Sequence, residues 1–213
     1  MENRMKLYYA AGSCSLATHI VIKELGLEVE LIEVDLRRHT IKSGGDYYGI
    51  NELGYVPMLE LDDGSTMHES VVIMQYLADL APHHGLTPAH GSMARYRLQE
   101  WLNFLSTEIH KGFIPLLYAV AAGKYVDTVR PKLLRRFDWI DRQLADKPYL
   151  MGEHFCVADA YLFALTGWGK ATWLKSVYNA DIDLTALRNL KEWYACVRSR
   201  PAVALAMQHE GFL

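Results

Sequence analysis

The sequence predicts an α/β half followed by an all-α half. Three features carry this reading: alternating strand and helix signals over the first 81 residues, a break rich in proline and glycine at APHHGLTPAHG, and helical periodicity from there on. Met5 to Tyr9 is a short strand rich in tyrosine and leucine. AAGSCS supplies the glycine and serines of a turn into a helix, along which Leu16, Ala17, Ile20, Val21 and Leu25 recur at helical spacing until Gly26 stops it. EVELIEV is the second strand. Strand, helix and strand in this order make a βαβ unit with a parallel pair and a right-handed crossover. After a polar loop, VPMLEL and STMH flank Asp62, Asp63 and Gly64, a hairpin signal, and a second helix runs from about Glu69 to about Leu80. The order β, α, β, loop, β, β, α is thioredoxin-like.

Beyond the break, Leu98, Leu102, Leu105 and Ile109 form one apolar helical row, and Leu133, Leu134, Phe137 and Ile140 form another. Pro115, Pro131, Pro148 and Pro201 fit helix ends or a kink. The expected division is residues 1–81 as the thioredoxin-like domain, 82–91 as linker and 92–213 as the helical domain.

A chain of 213 residues that is 51% apolar has ample material for a core, and a net charge of -3 lacks the basic excess of a nucleic-acid binder. No signal peptide opens the sequence and no apolar run approaches the roughly 18 residues of a membrane span, so a cytoplasmic protein is expected. Three cysteines at wide spacing, Cys14, Cys156 and Cys196, resemble neither a disulfide framework nor a metal site and point to a reducing compartment. Cys156 and Cys196 read as cap and core. The nine histidines show no metal-ligand spacing, and no metal is expected.

Four places carry possible chemistry. Cys14 lies where the first strand turns into the first helix, where unpaired amides and the helix dipole favour a thiolate; a lone cysteine is also an ordinary small buried hydrophobe. Val56-Pro57 precedes an apolar strand. A cis bond there exposes a backbone edge to an extended peptide, whereas a trans proline is the ordinary start of a strand. Glu69-Ser70 opens a helix directly after a strand, as a site for a ligand with both amine and carboxylate or simply as a cap. In EWLNFLSTEIHKG, Asn103, Thr107 and His110 follow i, i+4, i+7 spacing and form a polar stripe, which either faces water or looks onto a site.

YYAAGSCSLATHI, NELGYVPMLEL, the MHES stretch, EWLNFLSTEIHKG and FCVADAYLF, in this order and spacing, resemble the bacterial beta-class cytosolic glutathione transferases over nearly the whole chain from Met5. The resemblance implies the glutathione transferase fold, a glutathione-binding thioredoxin-like domain, a helical domain forming much of an electrophile pocket, a homodimer, and glutathione as co-substrate without metal. Members typically begin at the methionine of MKLYY, which makes Met1 to Arg4 either an extension or the product of a misplaced start. The cysteine matching Cys14 contacts or disulfide-bonds the glutathione sulfur. Val56 pairs its backbone with the tripeptide across a cis Pro57, and Glu69 with Ser70 holds its γ-glutamyl end. Asn103, Thr107 and His110 reach the ligand from the helical domain, with Glu108 and Ile109 in the same stretch; Lys111 and Trp168 belong to the electrophile pocket.

Two positions depart from the family's pattern. His39 stands where many members carry a lysine that meets the glycyl carboxylate. Cys156-Val-Ala-Asp159 replaces a Ser/Thr-x-x-Asp helix start; a thiol is the poorer cap acceptor, while Asp159 retains its bond back to the amide of residue 156, a cap worth about 1 kcal/mol. The implied activity is conjugation of the glutathione thiolate to small apolar electrophiles, with Cys14 and His110 as the catalytic pair. Glutathione-dependent disulfide reduction through Cys14, and a non-catalytic binding or regulatory protein of the same fold, are the alternatives.

Overall fold

A computed structural model describes residues 4–170 and 181–212. Met1, Glu2 and Asn3 of the expected extension lie outside the described residues. The chain divides into two units, Met1–Thr87 with Arg200–Leu213, and Pro88–Ser199.

The first unit is built on a five-stranded sheet in the order β3-β2-β1-β4-β5. Strand β1 (Lys6–Tyr9) pairs in parallel with β2 (Glu30–Asp35), Leu7 against Leu31, and antiparallel with β4 (Met58–Glu60), Leu7 against Leu59. The Asp62-Asp63-Gly64 turn joins β4 to β5 (Thr66–His68) as an antiparallel hairpin, Met58 opposite His68. Strand β3 (Thr40–Ile41) has only two residues, too short to leave a period in the sequence, and it exists because Val34 and Asp35 of β2 pair with it. The Val56–Pro57 peptide is cis, as the family resemblance implies.

Helix α1 (Ser15–Leu25) ends on Gly26, whose φ of 62° lets its amide bond back to the last turn. Nine of the residues of α1 are buried, including Ser15, Thr18 and His19. A helix with one exposed face would not enclose that many. The reason lies at the other end of the chain: helix α1 packs against α2 (Ser70–Leu80) and also against α9 (Pro201–His209). The sequence assigns all of 92–213 to the helical domain, but Arg200–Leu213 returns to the first unit. Arg200 grips both carboxylate oxygens of Glu24 at 2.6 and 2.9 Å, and Pro201 starts the helix where a missing amide costs nothing.

The second unit comprises α3 (Met93–Phe104), a π-helical turn Leu105–His110, α4 (Lys111–Leu117), the short α5 (Ala119–Ala122), α6 (Tyr125–Gln143), α7 (Val157–Lys170) and α8 (Arg188–Arg198). Ser92 caps α3 by accepting the amide of Arg95 at 3.1 Å. Leu98, Leu102, Leu105 and Ile109 are all buried, as their row predicts, and Phe113 meets Phe137 edge to face at 6.0 Å. Pro131 lies inside α6 without ending it, and Pro115 inside α4.

Asp159, in the first turn of α7, is completely buried and accepts four hydrogen bonds. Its Oδ2 takes the Cys156 amide at 3.0 Å and the Cys156 thiol at 3.1 Å; its Oδ1 takes the Leu150 amide at 2.9 Å and the Trp193 indole at 3.0 Å. The sequence casts Cys156 as a weakened cap acceptor, whereas here the thiol is a donor to the carboxylate. Burial pushes the Asp159 carboxyl up from its ordinary value against the pull of these donors. Burial, then the Asp159 charge, holds the Cys156 thiol well above its own. Cys196, read as core, is exposed on the outer face of α8.

These contacts revise the cost of losing the Asp159 charge. Asparagine offers one acceptor oxygen and turns two N–H donors towards groups that are themselves donors. Asp159→Asn should therefore lower unfolding free energy by about 2–3 kcal/mol, not the 1 kcal/mol of a simple cap. Denaturant titration checks this, and an unchanged midpoint contradicts the buried network.

Candidate active site

In the first unit, the turn from β1 into α1 uses up its own polar groups. The hydroxyl of Ser15 donates to the Ala10 carbonyl at 3.2 Å and accepts the Ala10 amide at 3.1 Å, while Ser13 Oγ accepts the Ser15 amide at 3.2 Å. The amides of Ser13, Leu16 and Ala17 bond to Ala10, Ser13 and Cys14 carbonyls, and the Gly12 amide reaches a carboxylate oxygen of Glu210 at 2.9 Å. The free amides that the sequence expects beside Cys14 are thus largely taken. Cys14 itself sits just ahead of α1, 7% exposed, with its thiol donating to the Val56 carbonyl at 3.5 Å. The cysteine and the cis-proline loop, 42 residues apart in sequence, therefore meet.

The loop is held from behind by groups the sequence does not single out. Tyr47, fully buried, donates its hydroxyl to the Tyr55 carbonyl at 2.7 Å; Asn51 donates to the same carbonyl at 2.8 Å and accepts the Leu53 amide at 3.1 Å. NELGY does carry an Asn turn signal. Tyr47 leaves no local signal because its partner comes from loop geometry.

Glu69 stands at φ 69°, a strained value for a residue with a Cβ, immediately before α2. Its carbonyl takes the amides of Val72 and Ile73 at 2.9 and 3.0 Å. Among the described residues, the amides of Ser70 and Val71 have no protein acceptor, so the start of α2 presents free donors where the start of α1 does not. Ser70 is buried and the Glu69 side chain exposed. His39 also has positive φ, at 51°, and stacks on Tyr48 with ring centroids 4.3 Å apart.

The second unit gathers a different set. The π-helical turn widens the spiral, so Asn103, Thr107 and His110 do not share the face that α-helical spacing predicts. Asn103 and Thr107 are exposed, and the Thr107 hydroxyl bonds the Asn103 carbonyl at 3.0 Å. His110 instead turns inward. Its Nδ1 lies 2.7 Å from the Tyr161 hydroxyl, and its ring meets Trp168 edge to face at 5.1 Å. Glu108 pairs with Arg136 at 2.9 Å, Ile109 is enclosed in the core, and Lys111 is exposed. Burial, with the adjacent Lys111 charge, pushes His110 down to about 4, so the imidazole is neutral near pH 7.

Residues 11–80 match the glutathione S-transferase N-terminal domain family and residues 104–201 the glutathione S-transferase C-terminal domain family. Glutathione S-transferase GstA of Escherichia coli O157:H7 is 39% identical over 207 residues, 97% of this chain and 99% of that protein. A ternary complex of BphK, a bacterial GST, superposes with a TM-score of 0.89 at 44% identity, covering 97% of this chain and 99% of its own. A bacterial beta-class glutathione S-transferase from Sphingomonas chungbukensis gives 0.89 at 35%, covering 98% and 100%. The chain belongs to the glutathione S-transferase family. Within it the likeness is to the beta class, and the activity is that of a glutathione transferase.

Neutral His110 has a consequence for titration. Between pH 4 and 6.5 the unfolded chain holds a proton here that the folded one refuses, so this residue's contribution to stability rises with pH across that window and is level above it. The His110 ring signal in an NMR titration should stay flat from pH 5 to pH 8 and move only near 4. A midpoint at the ordinary value of about 6.5 contradicts the placement.

Proposed function

We propose that the first unit binds glutathione along the Val56-Pro57 edge, with its sulfur against Cys14, and that the enzyme conjugates it to small apolar electrophiles. The observation that carries this reading is the bond from the Cys14 thiol to the Val56 carbonyl, which puts a sulfur beside a backbone edge suited to an extended peptide. The open amides of Ser70 and Val71 suit the α-carboxylate of a γ-glutamyl group, and the exposed Glu69 carboxylate suits its amine. His39 stands for the residue that meets the glycyl carboxylate.

His110, neutral and oriented by Tyr161, is the proposed imidazole of the reaction. A neutral ring that accepts the Tyr161 hydroxyl at Nδ1 keeps its proton on Nε2 and can donate a hydrogen bond to the glutathione thiolate, whose proton leaves to solvent before the thiolate attacks the electrophile. Trp168 supplies an apolar wall and Lys111 a charge at the same pocket. Asn103 and Thr107, whose side chains are exposed, are proposed ligand contacts; the Glu108 and Ile109 side chains are engaged in an ion pair and in the core, which leaves their backbone for that role. The domain reading that goes with this is a glutathione domain built from residues 1–81 and joined by Arg200–Leu213, and a helical electrophile domain that follows the 82–91 linker and ends at Ser199. A cytoplasmic homodimer completes the proposal, and exposed Leu53, Tyr55, Met93 and Tyr96 provide apolar surface for it.

A second activity follows from having sulfur rather than oxygen at position 14. The Cys14 thiolate attacks the glutathione sulfur of a mixed disulfide, the partner thiolate leaves, and a protein–glutathione disulfide remains. A second glutathione thiolate then attacks that glutathione sulfur, which yields glutathione disulfide and returns Cys14.

Exposure to oxidised glutathione, followed by peptide mass mapping, tests the assignment. Cys14 should carry a glutathione adduct that reductant removes; buried Cys156 should not, and exposed Cys196 gives an internal measure of plain solvent reactivity. Cys14→Ser should abolish that adduct and disulfide reduction while conjugation persists, because His110 and the new serine hydroxyl still offer hydrogen bonds to the glutathione thiolate. Disulfide reduction surviving in Cys14→Ser contradicts the role of this sulfur.

A further inference from the structure

We propose that a cavity of the second unit, on the side of α7 away from His110, binds a free α-amino acid with a large apolar side chain. Helical spacing sets this cavity apart from the electrophile pocket. Thr166, Gly169 and Lys170 follow i, i+3, i+4 and line it, whereas Tyr161 and Trp168, which carry the His110 contacts, follow i, i+7 on the opposite side of the same helix. Its volume is about 320 Å³, at the lower end of the range for small-molecule sites.

The floor is apolar. Ile182, Leu184 and Leu190 supply branched side chains, and Gly169 lets the segment before α8 come close: a Cβ there would lie 2.8 Å from Leu184 Cδ1 and 3.5 Å from Ile182 Cδ1. Tyr194 closes one side, stacked on Phe163 with ring centroids 4.5 Å apart. An apolar side chain gains by leaving water for such a floor.

The rim is charged, and its charges are not spent on one another. Lys170 Nζ lies 4.1 Å from the Tyr194 ring centroid, and among the described residues neither Lys170 nor Lys191 forms an ion pair. Burial, then the Arg198 and Lys191 charges, hold the Lys170 ammonium below its ordinary value, so these cations crowd one another and an incoming carboxylate relieves them. Asp183 stands on the same rim. Its Oδ1 accepts the Thr185 hydroxyl at 2.5 Å and the Thr185 amide at 2.9 Å, which holds the carboxyl below its ordinary value and, among the described residues, leaves Oδ2 without a partner. Two ammonium groups and one carboxylate beside an apolar floor match an amino acid, its carboxylate on the lysines and its ammonium on Asp183 Oδ2. A plain carboxylic acid has nothing to offer Asp183, and a plain amine adds a cation to the crowd.

L-Phenylalanine is the probe, and the methyl NMR signals of Ile182, Leu184 and Leu190 report the site, with the Trp168 indole signal for the other side of α7. The three residues should shift together and saturate while Trp168 holds still. 3-Phenylpropionate, which lacks the ammonium, and 2-phenylethylamine, which lacks the carboxylate, should each bind about tenfold more weakly, the size of one lost hydrogen bond between charged groups. Lys170, Asp183 and Lys191 are exposed, so their substitution spares the fold. Lys170→Gln with Lys191→Gln should weaken L-phenylalanine about tenfold and 2-phenylethylamine not at all; Asp183→Asn, which keeps an oxygen for Thr185, should weaken L-phenylalanine likewise and spare 3-phenylpropionate. No saturable methyl shift up to the solubility limit of L-phenylalanine overturns the proposal, as do shifts confined to Trp168. Equal affinity for 3-phenylpropionate makes this a site for plain carboxylates, and equal affinity for 2-phenylethylamine a site for plain amines; either result overturns the amino-acid assignment. None of these outcomes depends on Cys14.

Discussion

The first unit depends on how the turn from β1 into α1 disposes of its backbone amides. A chain leaving a strand for a helix sheds its ladder partners before the helix supplies new ones. Here the Ser13 and Ser15 hydroxyls, the Ala10 carbonyl and the Glu210 carboxylate fill the gap. With those needs met locally, the turn is free to hold Cys14 at one place, its thiol on the Val56 carbonyl. The loop bearing Val56 is fixed separately by Tyr47 and Asn51, which converge on the Tyr55 carbonyl. Two independently braced segments thus meet at one sulfur.

The two helix starts of this unit play opposite parts. That of α1 spends its donors on protein, and that of α2 keeps the amides of Ser70 and Val71 unspent behind a strained Glu69. On the proposed reading, a peptide with a charged amino end and a central thiol would put its carboxylate at the open helix start and its sulfur at the closed one. What the two helix starts offer this site is backbone amides. Composition and net charge therefore reveal little of it.

Much of the fold is legible from short-range pattern. The βαβ unit, the Asp63-Gly64 hairpin, the Gly26 stop and the apolar row through Leu98 and Ile109 all follow from periods and turn residues within one or two turns of chain. What escapes is long-range. No pattern in the sequence marks Arg200 for Glu24 or Glu210 for His19, so the last helix is assigned by its helical character to the wrong unit. The π-helical turn escapes too, since α-helical spacing through Asn103, Thr107 and His110 is a reasonable default and only packing decides where His110 turns. Of the site, Cys14 with Val56-Pro57 and Glu69-Ser70 stands out in the sequence as separate motifs, whereas Tyr47, Asn51 and Tyr161 act through contacts that have no local signature. Cys156 is found but given the wrong polarity, acceptor in place of donor.

The central claim is that the sulfur of Cys14 and the backbone of Val56 form a single binding edge for glutathione. A crystal structure of the enzyme with glutathione tests it most directly. The account predicts the tripeptide extended along Val56, its sulfur against Cys14 Sγ, and its γ-glutamyl carboxylate on the amides of Ser70 and Val71. A tripeptide bound with its sulfur turned away from Cys14, or with its backbone unpaired to Val56, would contradict it.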